Sequence, residues 1–297
     1  MEGWRENDAA YMGEEAGIGW FPSQKVRLFP NDSRIKFENP VHEIVEPSLI
    51  RSGISISSSN VVIHHYGKLD EEKSLIKGEA YYNLGKRKLN EMGRNAGSLR
   101  ELAIQAAELK KFDEAIELWK NILSQQPDNA SSYLNLGHAY LQIGKYEDAL
   151  LASKRAMELD PKMKEAAHNY STSELCAGHV QKTIATLESL LKRVPGYPSA
   201  IGLLGVAYII DGRTKLGLEY IAKLWKNKND VAEHIFNHAA RLLKAGRKDY
   251  AILLMEAAIE SKNFNEAILS IYEECVKKGE SCDDGDQKKE ISLAAQV

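Results

Sequence analysis

Two adjacent histidines, His64 and His65, close the stretch NVVIHHYG at residues 60–67, directly after Val61, Val62 and Ile63. Paired imidazoles can ligate a metal ion or move a proton near neutral pH. The same residues can equally end a buried strand, one ring bonded to a backbone carbonyl. A second acid–base pair, His42 and Glu43, stands in PVHEIV. It is not the zinc-binding HExxH, because Glu46 occupies the place of the second histidine. SGISISSSN, at 52–60, offers hydroxyls but no adjacent base and reads as a turn. The acidic run Asp283-Asp284-Gly285-Asp286 resembles a metal motif, but in a polar tail it reads as solvated charge. No GxSxG elbow, P-loop or GxGxxG is present.

The elements that must position these residues are set by composition and period. The chain has 297 residues, 43% hydrophobic and 27% charged, with a formal net charge of −3. That is the make-up of a globular protein, and it carries no global basic field for nucleic acid or anionic lipid. Cys176, Cys275 and Cys282 have no CxxC spacing. They argue against a disulfide framework and fit a reducing compartment. The charged N-terminus is unlike a signal peptide, and the apolar stretch near Ala200–Ile210 is too short to span a bilayer. A soluble, cytoplasmic protein is expected.

An internal period dominates from residue 96. Pro127, Pro161 and Pro195 stand 34 residues apart, and other columns keep step. Leu102, Leu136, Tyr170, Leu204 and His238 share one phase, followed by Ala103, Gly137, Ser171, Gly205 and Ala239. Later in each unit come Ala115, Ala149, Thr183, Gly217 and Ala251. The large residue and the small one beside it let two antiparallel helices approach, and the later small position lies opposite on the second helix. Proline ends the second helix, since it has no N–H to donate. The proline column decays to Asn229 and Asn263. This pattern resembles the tetratricopeptide repeat. SYLNLGHAYLQIGKYEDALLASKRAMELDP, at 132–161, lies close to its consensus. Five repeats are expected at 96–129, 130–163, 164–197, 198–231 and 232–265, with a capping helix to about 278 and a disordered tail over 279–297.

A mainly α superhelix of this kind offers a concave face made by the first helix of each repeat. Asn135, Asn169 and Asn237 share one position of that helix, where Leu203 stands in the fourth repeat. The resemblance implies a groove for a protein or peptide, with these asparagines bonding ligand backbone. Read from the residues alone, they can equally be solvated polar positions. The chaperone-tail clamp is disfavoured, because Glu165 and Asn169 stand where it needs lysine and arginine.

Before residue 68 the period changes from helical to alternating. QKVRLFP (24–30), RIKFENPVHEIV (34–45) and the end of ISISSSNVVIHHYG (54–67) read as strands, and PSLIRSG (47–53) as a short helix. A long amphipathic helix follows over 68–92. The succession VRLFP, VHE and VVIHHYG, then a helix and a repeat array, resembles the end of the GT-A catalytic domain of bacterial family 2 glycosyltransferases. That resemblance covers about residues 17–92. It implies an α+β segment over 1–67 and a linker over 68–95. Glu43 is then the inherited general base with His42 beside it, Arg27 a substrate-binding residue facing phosphate, and His64 or His65 a remnant metal ligand. The family's nucleotide-binding half, with its acidic DxD-type motif, is lacking. No cofactor is therefore expected for this chain alone. Manganese or magnesium with a nucleotide sugar would enter only with a complete catalytic domain, its missing half separately encoded. The expectation is a peptide-binding repeat module that does not transfer sugar alone. The alternative is part of a nucleotide-sugar-dependent transferase whose repeats hold a protein acceptor.

Overall fold

The structure, a computed structural model, describes residues 5–6, 19–20, 24–38, 44–59, 71–92, 94–224 and 228–277. The chain forms two compact units, 1–111 and 112–297. The first helical pair read from the sequence is thus divided between them.

In the first unit, β1 (Arg5–Glu6) and β2 (Gly19–Trp20) form a two-residue antiparallel ladder, Arg5 opposite Trp20. The strands expected over 24–30 and 34–45 are a correction. Residues 24–30 form no ladder; the Val26 N–H donates to the Glu46 carboxylate at 3.1 Å. Leu28 is 94% exposed, so the alternating apolar residues have no face to cover. Over 34–38 and 44–45 the only pairing is one isolated bridge, Glu38 with Ile44. Residues 54–59 are irregular as well. The α+β segment expected before the repeats is therefore not what the described residues form. A short helix does form, α1 (Glu46–Arg51), with Pro47 in its first turn and Val45 and Leu49 buried. Proline suits that place, where no intrahelical N–H partner exists. Ser48 holds the preceding segment down: its hydroxyl accepts from Lys36 N–H at 3.0 Å and donates to the Val45 carbonyl.

Two longer helices complete this unit, α2 (Glu71–Met92) and α3 (Ala96–Glu108). They bury Tyr82, Leu89, Leu99, Leu102, Ala103 and Ala106. Gly85 makes the approach possible, because a Cβ there would lie 3.0 Å from Leu102 Cδ1. Asn95 caps α3, accepting from the Ser98 N–H. Lys88–Glu101 at 2.7 Å and Lys111–Glu79 at 2.9 Å close the rim.

The second unit contains α4 (Phe112–Gln125), α5 (Ala130–Gln142), α6 (Tyr146–Leu159), α7 (Lys164–Ala177), α8 (Val180–Arg193), α9 (Pro198–Ile210), α10 (Thr214–Ala222), α11 (Lys228–Lys244), α12 (Lys248–Glu260) and α13 (Glu266–Lys277). From α4 to α12 the second helices of successive pairs begin at strict 34-residue intervals. The turn inside each pair repeats as well. Gly144, Gly178, Gly212 and Gly246 all take positive φ, between 72° and 93°. Behind each glycine, the N–H of Lys145, His179, Arg213 and Arg247 reaches back five residues to a carbonyl at 2.8–2.9 Å. This is the Schellman ending, which needs a left-handed residue that glycine supplies without strain.

The small-residue columns face each other across each pair. A Cβ on Gly137 would lie 2.7 Å from Ser153 Oγ, and one on Gly217 only 2.4 Å from the Gly205 carbonyl oxygen. Thr183 Oγ donates to the Ser171 carbonyl at 3.4 Å in the intervening pair. Where proline is lost, the frame slips. Residue 229 is asparagine, and α11 begins at Lys228, ahead of the expected 232, while α10 stops at Ala222. Without a ring to forbid it, the fifth first helix winds an extra turn at its start.

Candidate functional site

The first helices α5, α7 and α9 follow one another side by side, so equivalent positions share one face. On that face the asparagine column meets different surroundings. Asn135 is half-buried, and its amide donates back to the Ser131 carbonyl at 2.9 Å. Asn169 is only 9% exposed and bonds the neighbouring His168. Leu203 is fully buried, and Asn237 is exposed on α11.

The cause of this gradient is the fifth pair. α9 is buried over nearly its whole circumference, Gly202 to Ile210 without a break. A helix apolar all round must be covered on all sides. α12 packs on it, with Leu254 and Met255 fully buried, and His234 of α11 sits against Gly202, where a Cβ would lie 2.6 Å from Cε1. The fifth pair then reaches the earlier repeats. Arg247 donates to the carbonyls of Cys176 (2.9 Å) and Ala177 (2.5 Å), and Tyr250 to that of Gly178 (3.3 Å). Those carbonyls end α7, where a cation is favoured by the helix dipole. Tyr146, at the start of α6, donates to the Arg241 carbonyl at 3.3 Å.

This closure gathers a set of residues that the sequence reading missed. His138 of α5, His168 of α7 and His238 and Arg241 of α11 stand close enough to act on one another electrostatically. His138 is exposed, whereas His168, His238 and Arg241 are half-buried. Burial lowers the affinity of each imidazole for a proton, and the Arg241 charge lowers it further. His168 is brought down to about 4, chiefly by burial and against a bond from Asn169. His238 falls well below the usual range, through burial, then His234 at 4.7 Å between ring centroids, then Arg241 and His168. His138 and His234 are lowered too, both mainly by burial. Neutral imidazoles remain donors as well as acceptors. Burial likewise pushes the Cys176 thiol up to about 12, so it is no nucleophile.

A second concavity, of about 320 Å³, lies among α6, α7 and α8, lined by Met157, Ala167, Thr186, Lys182 and Arg193. Its two cations are already engaged. Lys182 pairs with the fully buried carboxylate of Glu174, which also meets His179 Nδ1 at 2.5 Å. Arg193 donates to the Pro161 carbonyl at 2.6 Å.

His42, Glu43, His64 and His65 lie outside the described residues, and Arg27 is exposed in an irregular segment. Among the described residues no group of three or more His, Cys, Asp or Glu could hold a metal ion. No described helix is long and apolar enough to cross a membrane.

Comparison with known proteins agrees on the repeats. Residues 94–162 match the family model described as tetratricopeptide repeat. Protein FlbA of Caulobacter vibrioides is 28% identical over 106 residues, which are 36% of this chain and 18% of that protein. The chain thus spans under a fifth of that relative's length. A tetratricopeptide repeat protein of Parabacteroides merdae superposes with a TM-score of 0.49 at 18% identity, covering 71% of this chain and 80% of that one. The second such domain of human RPAP3, solved with an HSP70 peptide, gives 0.37 at 26% identity, covering 38% and 93%. The described part of this chain is mainly helical, and its residues 94–162 are similar to the tetratricopeptide repeat.

Proposed function

We propose that the chain is a peptide-binding module whose recognition face is the trough between α5, α7 and α11. The observation that carries this reading is the partly exposed polar set Asn135, His138 and His168 on α5 and α7, next to α9, which is buried nearly all round. Asn135 and His138 lie one turn apart on the open part of α5. Side chains three and four residues apart share a helix face, so both can meet one extended ligand. Asn169 serves as a support, orienting His168 from beneath. The second tetratricopeptide domain of human RPAP3, to which part of this chain is similar, was solved with a peptide.

The experiment is to pan a random dodecapeptide library against the full chain and titrate the enriched peptide by calorimetry. The Asn135→Ala variant should melt within about 1 °C of the parent, since its amide bonds only its own helix, and should bind at least five-fold more weakly. Equal affinity, or a lower melting temperature with unchanged affinity, would remove Asn135 from the site.

A second reading rests on the order of the segments VRLFP, VHE and VVIHHYG alone. In it the chain is part of a sugar-transfer assembly whose repeats hold a protein acceptor, with a catalytic half supplied separately. Residues 24–38 and 54–59 are irregular, while VHE and VVIHHYG lie outside the described residues, so nothing described supports that sheet and we do not adopt the reading. Heat of binding from a nucleotide sugar with manganese would favour it.

A further inference from the structure

We propose that the fifth helical pair, α11–α12, is a strap over the first-helix face, anchored on α9 and clasped over the end of α7 by bonds that open. The strap rests on the groove reading only for what it admits. Its basis is a set of equivalent positions on each first helix, spaced three and then four residues apart, which share one helix face. On α5 these are Asn135, half-buried, with His138 and Gln142, both exposed. On α7 the same places hold Asn169, Thr172 and Cys176, exposed by only 9%, 2% and 3%. On α9 they hold Leu203, Val206 and Ile210, all buried. The cover thus spreads over two helices, but what lies beneath it differs: apolar side chains on α9, more polar ones on α7.

The contacts differ in the same way. In the earlier pairs α6 and α8 pack on their own first helix and on the next one, whereas α12 turns back onto α9. There Leu254 and Met255 are fully buried, and the His234 ring lies against Gly202. Apolar burial of this kind resists opening. Over α7 the contact is made of hydrogen bonds to backbone carbonyls. Arg247 donates to those of Cys176 and Ala177, and its guanidinium lies against Gly178, where a Cβ would stand 3.2 Å from Cζ. Tyr250 donates to the Gly178 carbonyl, and Tyr146 holds the Arg241 carbonyl from the start of α6. The last carbonyls of a helix lack intrahelical partners, and water satisfies them as well. Opening therefore exchanges protein bonds for water bonds at little net loss. The start of α12 can lift from α7 while α9 stays covered. Asn169, Thr172 and Cys176 then continue the stripe that α5 already presents, and the trough lengthens by one repeat. A site covered for part of the time binds more weakly by the fraction uncovered, so the clasp sets the affinity.

Cys176 is the built-in probe. With Cys275→Ser and Cys282→Ser it is the single thiol of the full chain, and its reaction with a maleimide reports the uncovering of α7. Adding Arg247→Gln with Tyr250→Phe should speed that reaction by about ten-fold or more. Amide hydrogen exchange over residues 184–190 of α8 and 203–210 of α9 should stay as in the parent. The peptide enriched by panning should bind the same variant about three-fold more tightly or better. Unchanged labelling of Cys176 would overturn the strap, whatever the peptide does. Equal acceleration of exchange in α8 and α9 would overturn it too, because Arg247 and Tyr250 would then hold the whole domain together. Faster labelling with unchanged peptide affinity would overturn control of the groove by the strap. The groove reading has its own test in Asn135→Ala, outside the clasp, so the two fail separately.

Discussion

Gly217→Val should lower the melting temperature by roughly 10 °C, while Gly196→Ala leaves it unchanged. Even the first carbon added at residue 217 would lie 2.4 Å from the Gly205 carbonyl oxygen and 2.6 Å from Ile209 Cγ1. Neither can yield by a rotamer change alone, because one is backbone and the other is wedged between α9 and α10. The two helices must move apart along their whole contact. Overpacking of this kind costs about 1–3 kcal/mol, and the second methyl of valine takes the cost to the upper end or beyond. Removing a helical glycine returns up to about 1 kcal/mol, which is too little to offset it. For a domain of this size each kcal/mol shifts the midpoint by about 2–4 °C. Gly196 is the control: exposed, with nothing within 4 Å of an added Cβ. Thermal unfolding followed by circular dichroism gives both numbers. A Gly217→Val midpoint within about 2 °C of the parent would mean that α9 and α10 do not touch as described.

The second large effect is loss of stability in mild acid. His168 takes protons at about 4 in the folded chain and at the ordinary 6.5 when unfolded, because burial withholds water from its charged form. The sign follows from linkage. The folded state binds fewer protons across this window, so the contribution is fully present above about pH 6.5 and is lost as pH falls towards 4. One unit of difference corresponds to about 1.4 kcal/mol, so His168 alone accounts for at most about 3.5 kcal/mol. His238 is shifted in the same direction and adds to it. Carboxylates held low in the fold, such as Glu46 and Glu174, lose their contributions only below this window. Urea midpoints should therefore fall steeply between pH 6.5 and 4.5, and H168Q should be flatter over that range. A parent midpoint independent of pH there would show that the imidazoles are not enclosed by α11.

These two experiments probe parts of the fold that differ in how legible they were. The contact broken by Gly217→Val was readable, because residues 205 and 217 belong to columns that repeat every 34 residues and a small residue in a helix column has few reasons other than close approach. Gly144, Gly178, Gly212 and Gly246 repeat at the same interval, a column that the reading of the sequence missed. The histidine trough was not readable. His138, His168, His238 and Arg241 share no repeat phase, and only the inward course of α11 and α12 unites them. α11 begins early, at Lys228, and the 34-residue columns do not name what it packs against. The segment before residue 60 misled for a different reason. Alternation at Val26 and Leu28 states that one side could be covered, but not that a partner strand exists to cover it. The helices α1 and α2 were visible there because their hydrogen bonds are local, whereas a sheet needs partners that a linear pattern does not name.

The central claim is that ligand enters between α5, α7 and α11. The direct measurement is photo-crosslinking of the panned peptide, carrying a diazirine residue at its centre, with the attached positions mapped by mass spectrometry. The account predicts labels on residues 131–142 of α5, 164–169 of α7 and 234–241 of α11. Labels confined to α6, α8 and α10, or to residues before Lys111, would contradict it.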